Sequence, residues 1–384
     1  SSIVKQGKGY PGNELRLDKI PVVMGHSILN DIVGPLAQSP VIDLLSRIGH
    51  QRAQYLVSLG DFVDGILVDN LKGGHPDEGL LMTVGEAGGT VESAIRYANE
   101  DGSELDMIFS FEHNDGLNDG TELGKWSDHG APLREVRAAF NRWQLSLQGK
   151  AWNTVYLGNH DQPRQVSRYG NDSELFRAVS AKMLATMIHT LRGTPYVYQG
   201  EELGMTNIYF TKVEQYDDVE VHNAWKQWVE SGKVDGQDML RYFARIARDN
   251  ARTPMQWNRE KNAGFTTGIP WLPVNGNYPL INAEDEVRDP DSVYNYYRRL
   301  IALRHEHEII VYGLFEPLME DSDQIYAYRR VLGDRTLTVA LNWTDRKVPC
   351  TLIDETPGRE LISNYPTHQV GFLQPYEARV ILSE

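Results

Sequence analysis

Cysteine and long apolar runs are nearly absent from the sequence. The one cysteine, Cys350, has no partner for an intramolecular disulfide and cannot by itself hold a structural zinc ion. No segment approaches the roughly 18 consecutive apolar residues of a membrane-spanning helix, and the first residues, SSIVKQGKGYPG, lack the apolar centre of a signal peptide. These features predict a cytoplasmic protein without a disulfide framework or a membrane partner.

Positive charge is also scarce. The chain has 53 acidic residues against 38 lysines and arginines, which gives a net charge of -15 at pH 7. Phosphate backbones and anionic membrane surfaces would repel such a chain, so we expect no nucleic acid partner and a neutral or cationic small molecule instead. Nothing in the sequence indicates a cofactor or a metal, and we expect a monomer or a weak homo-oligomer.

The 384 residues, of which 41% are apolar, exceed the size at which one hydrophobic core stops growing, so more than one structural unit is expected. Residues 1–80 form an atypical N-terminal segment, in which VIDLLSRIGHQRAQYLVSL at 41–59 has helical spacing. Residues 312–384 alternate in a strand pattern, as in RTLTVALNW and YEARVILS, which predicts a C-terminal antiparallel β domain.

Between these two parts, residues 81–311 have the pattern of repeated βα units. Short apolar runs such as LDMIFSFEH and NTVYLGNHD alternate with helical patterns such as LREVRAAFNRWQLSL and ELFRAVSAKMLATMIHTL. This alternation predicts a parallel sheet. Residues 206–290 are rich in aromatic residues, proline and glycine, and we interpret them as a long loop insertion that carries function.

Acidic residues follow three of the predicted strands. Glu86 ends MTVGE, His160 and Asp161 end YLGNHD, and Glu201 and Glu202 end YQGEE. Each group also has an ordinary explanation, namely a helix start, a capped turn and a solvated acidic turn respectively. Because the carboxyl ends of parallel strands meet at the edge where ligands bind, the three groups together favour an enzyme. Paired carboxylates at such an edge suit glycoside hydrolysis.

Several longer motifs resemble a known family. The segments MTVGE, FSFEH, GNHDQPR, AKMLATMIHTLRGTPYVYQGEELGMTNI, RDNARTPMQW and NAGFTTG are similar to the oligo-1,6-glucosidase, dextran glucosidase and α-glucosidase group of the α-amylase family, glycoside hydrolase family 13. The resemblance runs from about residue 80 to residue 384. It implies an α/β fold, a (β/α)8 TIM-type barrel whose second half is recognisable and whose first half is atypical or missing, followed by an antiparallel β-sandwich domain.

The resemblance also implies an activity. Members of this group release glucose from the non-reducing end of short α-glucosides by a retaining mechanism, so the expected substrate is a small oligosaccharide or disaccharide. We favour the α-1,6 linkage, and α-1,4 is possible. On this reading Glu86 is the general acid/base, Asp161 is the third carboxylate, which binds sugar hydroxyls, and His160 forms a hydrogen bond with the same glucose.

Further substrate-binding residues follow from the same resemblance. Arg248 of RDNARTPMQW matches the arginine that reaches the non-reducing-end glucose, although it suits a structural ion pair as well. Phe111 and Glu112 of FEH match residues beside the leaving-group site. Seven of the tryptophans lie between residues 126 and 271, and packing is the better interpretation for each of them.

The nucleophile is the position where the sequence departs from the family. VDGILVD at 63–69 is the closest match to the family's motif, which makes Asp69 the first candidate. Leu67 replaces the arginine that orients the nucleophile, and leucine can neither donate to a carboxylate nor pair with its charge. Asp31 and Asp18 are the alternative candidates.

Three functional classes remain open. The first is the α-glucosidase described above. The second is a sucrose isomerase or a phosphorylated-disaccharide hydrolase of the same family, and the third is a non-catalytic carbohydrate-binding homologue, which Leu67 would explain. Release of glucose by the purified chain separates the third class from the others.

Overall fold

The computed structural model describes residues 56–59, 82–86, 90–99, 105–115, 117, 120–127 and 129–384. Its strands are β1 (Leu56–Leu59), β2 (Met82–Glu86), β3 (Met107–Phe109), β4 (Thr154–Val155), β5 (Thr194–Pro195), β6 (Leu314–Leu318), β7 (Ile325–Leu332), β8 (Arg335–Asn342), β9 (Val348–Pro349), β10 (Arg359–Ser363), β11 (Phe372–Leu373) and β12 (Ala378–Ser383).

The α-helices are α1 (Val91–Tyr97), α2 (Glu112–Asp115), α3 (Leu133–Leu147), α4 (Gln165–Tyr169), α5 (Arg177–Thr190), α6 (Val219–Ala224), α7 (Gly236–Ile246), α8 (Ala283–Arg288), α9 (Val293–Glu306), α10 (Glu308–Tyr312) and α11 (Leu352–Glu355). Short 3-10 turns lie at Glu201–Leu203, Val213–Gln215, Arg248–Asn250 and Lys261–Gly264, and a π-helical turn lies at Trp225–Glu230. No helix in this part of the chain is both long enough and apolar enough to cross a membrane.

The chain forms two compact units, residues 1–110 with 146–154, and residues 111–145 with 155–384. In the first unit β1, β2 and β3 form a parallel sheet in that order, with Glu86 opposite Phe109. Helix α1 follows β2, and the side chain of Thr90 caps its N-terminus. The predicted strand at MTVGE and the parallel pairing of these βα repeats are confirmed.

The helical interpretation of residues 41–59 is wrong at its end. Residues Leu56–Leu59 form β1, which pairs with β2 from Leu56 opposite Met82 to Leu59 opposite Gly85. A four-residue run such as LVSL, with three apolar residues, is compatible with both a helix and a strand, and pairing with the neighbouring strand outweighs the local spacing. The rest of 41–59 lies outside the described residues.

In the second unit, helix α5 lies at the centre of the main hydrophobic core. Every residue from Ser180 to Thr190 is buried, because α9 covers one side of the helix and the C-terminal sheet covers the other. Hydroxyl groups join the layers: Thr186 Oγ1 lies 2.8 Å from the Tyr296 hydroxyl of α9, and Thr190 Oγ1 lies 2.6 Å from the Tyr328 hydroxyl of β7. An all-round apolar surface is typical of a helix between two layers.

The C-terminal strands form the predicted antiparallel domain. Five of them make one sheet in the order β10-β12-β8-β7-β6, and β7 pairs with β8 over its full length, from Ile325 opposite Asn342 to Leu332 opposite Arg335. The side chains of β8 become fully buried towards its C-terminal half, where the sheet packs on the core. The sheet begins at Leu314, and the predicted domain boundary near residue 311 stays a prediction.

A fully buried arginine connects this sheet to the helices. Arg330 of β7 donates hydrogen bonds to the backbone carbonyls of Gly313 (3.0 Å from Nε), Thr190 (2.6 Å) and Ile310 (2.8 Å). Burial lowers the pKa of Arg330 to about 9. The guanidinium therefore satisfies backbone carbonyl groups at the C-terminal ends of α5 and α10.

We predict that Arg330→Leu lowers the free energy of unfolding by about 3 kcal/mol or more, because several buried carbonyls lose their donor at once. The matched control is Arg329→Leu. Arg329 is the next residue of the same strand, its side chain is partly exposed, and it lies 4.0 Å from Glu316. We expect the control to change stability by less than about 1 kcal/mol. Urea denaturation measures both, and equal losses would contradict the assignment.

Candidate active site

The loop after β4 presents a histidine and an aspartate side by side. Asn159 turns the chain, since its Oδ1 accepts a hydrogen bond from the backbone N–H of Asp161 at 2.8 Å. His160 Nε2 then lies 3.3 Å from Asp161 Oδ2. The side chain of Asp161 is 45% exposed, so a ligand can reach its carboxylate. The predicted site residues His160 and Asp161 are therefore adjacent and accessible.

Two arginines hold the carboxylate of Asp161. Arg252 Nη2 donates to Asp161 Oδ1 at 2.6 Å, and Arg252 Nε donates to the carbonyl of His160 at 3.0 Å. Arg248 Nη1 lies 3.6 Å from the same oxygen of Asp161. Arg248 is a predicted site residue and Arg252 is not, although both belong to RDNARTPMQW. The signal in the sequence is their spacing of four residues within this one motif.

Arg248 is oriented by a second group of acids. It donates to both oxygens of Asp218, at 2.8 Å from Nε to Oδ2, and its Nε lies 3.4 Å from Glu220. The hydrogen bond to Asp218 raises the pKa of Arg248 above its ordinary value. Burial alone would raise the pKa of Asp218, but the hydrogen bond from Arg248 and that from the backbone of Glu220 lower it overall. This bidentate pair fixes the direction of the guanidinium towards Asp161.

Asp249 is a further acid that the sequence analysis did not single out. Its Oδ2 accepts hydrogen bonds from the backbone N–H groups of Asp217 (2.7 Å) and Asp218 (2.9 Å), and its Oδ1 lies 3.7 Å from Arg252. Burial raises the pKa of Asp249. Asp249 thus ties the loop of Asp218 to the loop that carries both arginines.

A buried arginine holds the loops of the site together. Arg164 is 2% exposed and lies three residues after Asp161. Its guanidinium donates to the backbone carbonyls of Gln199, Asn250 and Thr253, while its own backbone N–H donates to Asn207 Oδ1 at 2.9 Å. The ends of β4 and β5 and the loop of Arg248 and Arg252 are therefore joined by one side chain.

Glu201 lies directly beneath the loop of His160 and Asp161. The residue is only 3% exposed, and a β-carbon on Gly158 would lie 2.5 Å from its Oε1. Gly158 is therefore required by the close approach of this carboxyl group. Burial raises the pKa of Glu201 well above its ordinary value, as does the nearby Glu202, and Arg164 offsets this effect only in part. The interpretation of YQGEE as a solvated acidic turn is wrong for Glu201, because its carboxyl group is inside the protein.

Phe111 and Glu112 lie at the start of α2. Phe111 packs edge-on against Tyr156, with ring centroids 6.4 Å apart. Glu112 Oε2 accepts a hydrogen bond from the indole N–H of Trp143 at 2.7 Å, and its Oε1 lies 2.6 Å from Arg142. Both oxygens of Glu112 are thus engaged with α3, and its predicted role beside the leaving group stays a prediction.

The remaining predicted catalytic residues are Glu86 and the nucleophile. Glu86 is the last residue of β2 and is partly buried, so the prediction that it stands at a strand end is confirmed. Asp69 and its alternatives Asp31 and Asp18 lie outside the described residues. The described part of the site contains no group of three or more histidine, cysteine or acidic side chains that would hold a metal ion.

Comparison with known proteins shows which family the chain resembles in sequence. Residues 67–313 match the family described as "Alpha amylase, catalytic domain". The oligo-1,6-glucosidase of Parageobacillus thermoglucosidasius is 46% identical over 310 residues, which cover 78% of this chain and 54% of that protein. The chain spans about half the length of the curated relatives that it matches.

Solved structures of a trehalose-6-phosphate hydrolase and an isomaltulose synthase align with most of the chain. The trehalose-6-phosphate hydrolase of Bacillus licheniformis has a TM-score of 0.73 and 41% identity, covering 79% of this chain and 56% of its own. The isomaltulose synthase of Klebsiella sp. LX3 has a TM-score of 0.74 and 37% identity, with the same coverage of both chains. The predicted fold class, a TIM-type barrel with a C-terminal antiparallel sheet domain, is confirmed.

We predict that Glu201→Gln changes how stability depends on pH. Below its ordinary pKa of 4.5, Glu201 is protonated in both the folded and the unfolded chain. As the pH rises above that value, the unfolded chain ionises first, so the wild-type protein loses stability until the raised folded pKa is reached. The glutamine variant lacks this contribution, and its stability relative to wild type should increase from pH 5 to pH 8.

Urea denaturation at both pH values measures the effect. Glu214→Gln is the control, because Glu214 is exposed in the same unit. We expect the difference between Glu214→Gln and wild type to be the same at both pH values. If the wild-type and Glu201→Gln proteins lose stability in parallel, the buried carboxyl group is not held in its neutral form.

Proposed function

Because the chain belongs to the α-amylase family, we propose that it is a retaining glycoside hydrolase that releases glucose from the non-reducing end of short α-glucosides. The substrate in this proposal is a small oligosaccharide or disaccharide, with an α-1,6 linkage preferred and an α-1,4 linkage possible. The linkage is supported by the relatives whose names specify it, an oligo-1,6-glucosidase and a glucan 1,6-alpha-glucosidase among them.

The observation that carries the proposal is the arrangement around Asp161. A partly exposed carboxylate lies beside an imidazole, and two arginines hold it in one orientation. A carboxylate fixed in this way accepts hydrogen bonds from two neighbouring sugar hydroxyls, and it does not need to reorganise when the ligand arrives. The imidazole of His160, 3.3 Å from Asp161 Oδ2, is a second hydrogen-bonding group for the same sugar.

The chemistry requires two further carboxyl groups. In a retaining mechanism one carboxylate attacks the anomeric carbon while a carboxylic acid protonates the leaving oxygen, and water then hydrolyses the glucosyl-enzyme. We assign the acid/base role to Glu86 and the nucleophile to Asp69, with Asp31 and Asp18 as alternatives. Asp161 binds sugar hydroxyls and helps to distort the ring, and Arg248 contacts the same glucose.

We predict that Glu86→Gln lowers kcat/KM for isomaltose by about 10²- to 10⁴-fold, because the leaving oxygen loses its proton donor. The loss should be smaller for p-nitrophenyl α-glucoside, whose leaving group departs without protonation. Release of glucose by the purified chain measures both values, and proton NMR of the first product should show α-glucose.

The control is Glu92→Gln, since Glu92 is an exposed residue of α1 that follows Glu86 by six positions. This variant should keep wild-type activity. Separate Asp69→Asn, Asp31→Asn and Asp18→Asn variants identify the nucleophile, because only the residue that forms the glucosyl-enzyme is indispensable for both substrates. Full activity of Glu86→Gln on isomaltose would remove Glu86 from the mechanism.

Two other activities have support from specific similarities. A trehalose-6-phosphate hydrolase and an isomaltulose synthase align with the chain about equally well, with TM-scores of 0.73 and 0.74. Incubation with trehalose 6-phosphate and with sucrose, followed by product chromatography, separates these activities from the main proposal. A chain that binds isomaltose without any turnover would be a carbohydrate-binding homologue.

A further inference from the structure

Two tryptophans differ from all others in the chain. All eight lie in described residues, and only Trp257 (50% exposed) and Trp271 (65% exposed) have half or more of their surface open to solvent. Both belong to the loop region between α7 and α8. An exposed tryptophan loses the stabilisation that its burial would provide, so its position calls for a specific explanation when its orientation is also fixed.

The orientation of Trp271 is fixed by two contacts. Its indole N–H donates to the backbone carbonyl of Arg252 at 2.8 Å. Phe265 packs against it nearly perpendicularly, with ring centroids 5.0 Å apart and an interplanar angle of 87°. A ring held in this way loses little conformational entropy when a ligand stacks on its free surface. Trp257 makes no side-chain hydrogen bond or ring contact with any residue that the structure describes.

The contact with Arg252 connects Trp271 to the candidate active site. The same arginine donates from its side chain to Asp161 and to the carbonyl of His160. One residue therefore links the exposed indole to the carboxylate that binds glucose in the proposed function. The ring of Trp271 is thus an exposed aromatic surface that is hydrogen-bonded to the loop carrying Arg252.

We propose that Trp271 is a stacking platform for the sugar units on the leaving-group side of the substrate. This inference rests on the proposed function, in which the non-reducing glucose occupies the site of Asp161 and the remaining sugars extend outward to solvent. The C–H face of a pyranose ring is apolar, and an indole offers it a large flat surface, whereas the sugar hydroxyls stay in water. The polar end of Trp271 is already bonded to Arg252 and does not compete for water.

The test compares substrates with and without leaving-group sugars. α-Glucosyl fluoride has the same glucose but no sugar on the leaving-group side, and isomaltotriose has two. We expect Trp271→Ala to raise KM for isomaltotriose about tenfold with little change in kcat, and to leave kcat/KM for α-glucosyl fluoride within about twofold. Trp271→Phe keeps an aromatic ring without the anchoring N–H and should fall between wild type and Trp271→Ala.

Trp257→Ala is the matched control, and we expect wild-type constants for both substrates. Equal losses of Trp271→Ala on the two substrates would overturn the inference, because they would show that Trp271 acts through Arg252 and Asp161 instead. Unchanged constants for Trp271→Ala on both substrates would overturn it too. Circular dichroism and thermal unfolding of each variant exclude a folding defect.

The outcome also separates this inference from the proposed function. If wild-type protein hydrolyses neither substrate, the proposed hydrolase activity fails, and isothermal titration with isomaltotriose then tests the platform alone. Binding that is lost in Trp271→Ala and kept in Trp257→Ala supports the platform. Binding that is equal in both variants, or absent from wild type, overturns it.

Discussion

The candidate site depends on the buried guanidinium of Arg164. A charged group that is 2% exposed must find acceptors for its N–H groups inside the protein, since the free energy of burying it unpaired is prohibitive. Arg164 finds them in the carbonyls of Gln199, Asn250 and Thr253, which lie 35 to 89 residues further along the chain. Because backbone carbonyls are fixed points of their loops, satisfying one side chain brings two loops to the end of β4, the one after β5 and the one that carries Arg248 and Arg252.

Acidic and basic side chains alternate within those loops, so that each charge lies beside an opposite one. Asp161 lies between Arg252 and Arg248, Arg248 is paired with Asp218, and Asp249 connects the segment of Asp218 to Arg252. In a chain with a net charge of -15, Arg248 and Arg252 offset the charges of three acids that lie close together. Each ion pair orients the next, so Asp161 is positioned before any ligand binds. Trp271 extends this arrangement to the surface through the backbone of Arg252.

Much of the fold was predictable wherever a pattern was long. Helical spacing extends over many residues at α3, α5 and α9, and alternation does so at β7, β8 and β12. A pattern of that length specifies the structure of its own segment. The four residues of β1 lie in a segment with helical spacing, but so short a run obtains its structure from its neighbour β2. At the site, His160 and Asp161 were identified from a strand end and a family motif, and both are placed together in the structure.

Sequence by itself determined the alternation of strands and helices after residue 80, the position of Glu86 at the end of a strand, and the pairing of His160 with Asp161, because these are properties of residues close together in the chain. Tertiary structure alone decided that Arg252 is the nearest cation to Asp161, that the carboxyl group of Glu201 is buried against Gly158, and that Trp271 is exposed while Trp143 bonds to Glu112. The physical reason is that burial and ion pairing depend on contacts between residues far apart in the chain, and no local pattern contains that information.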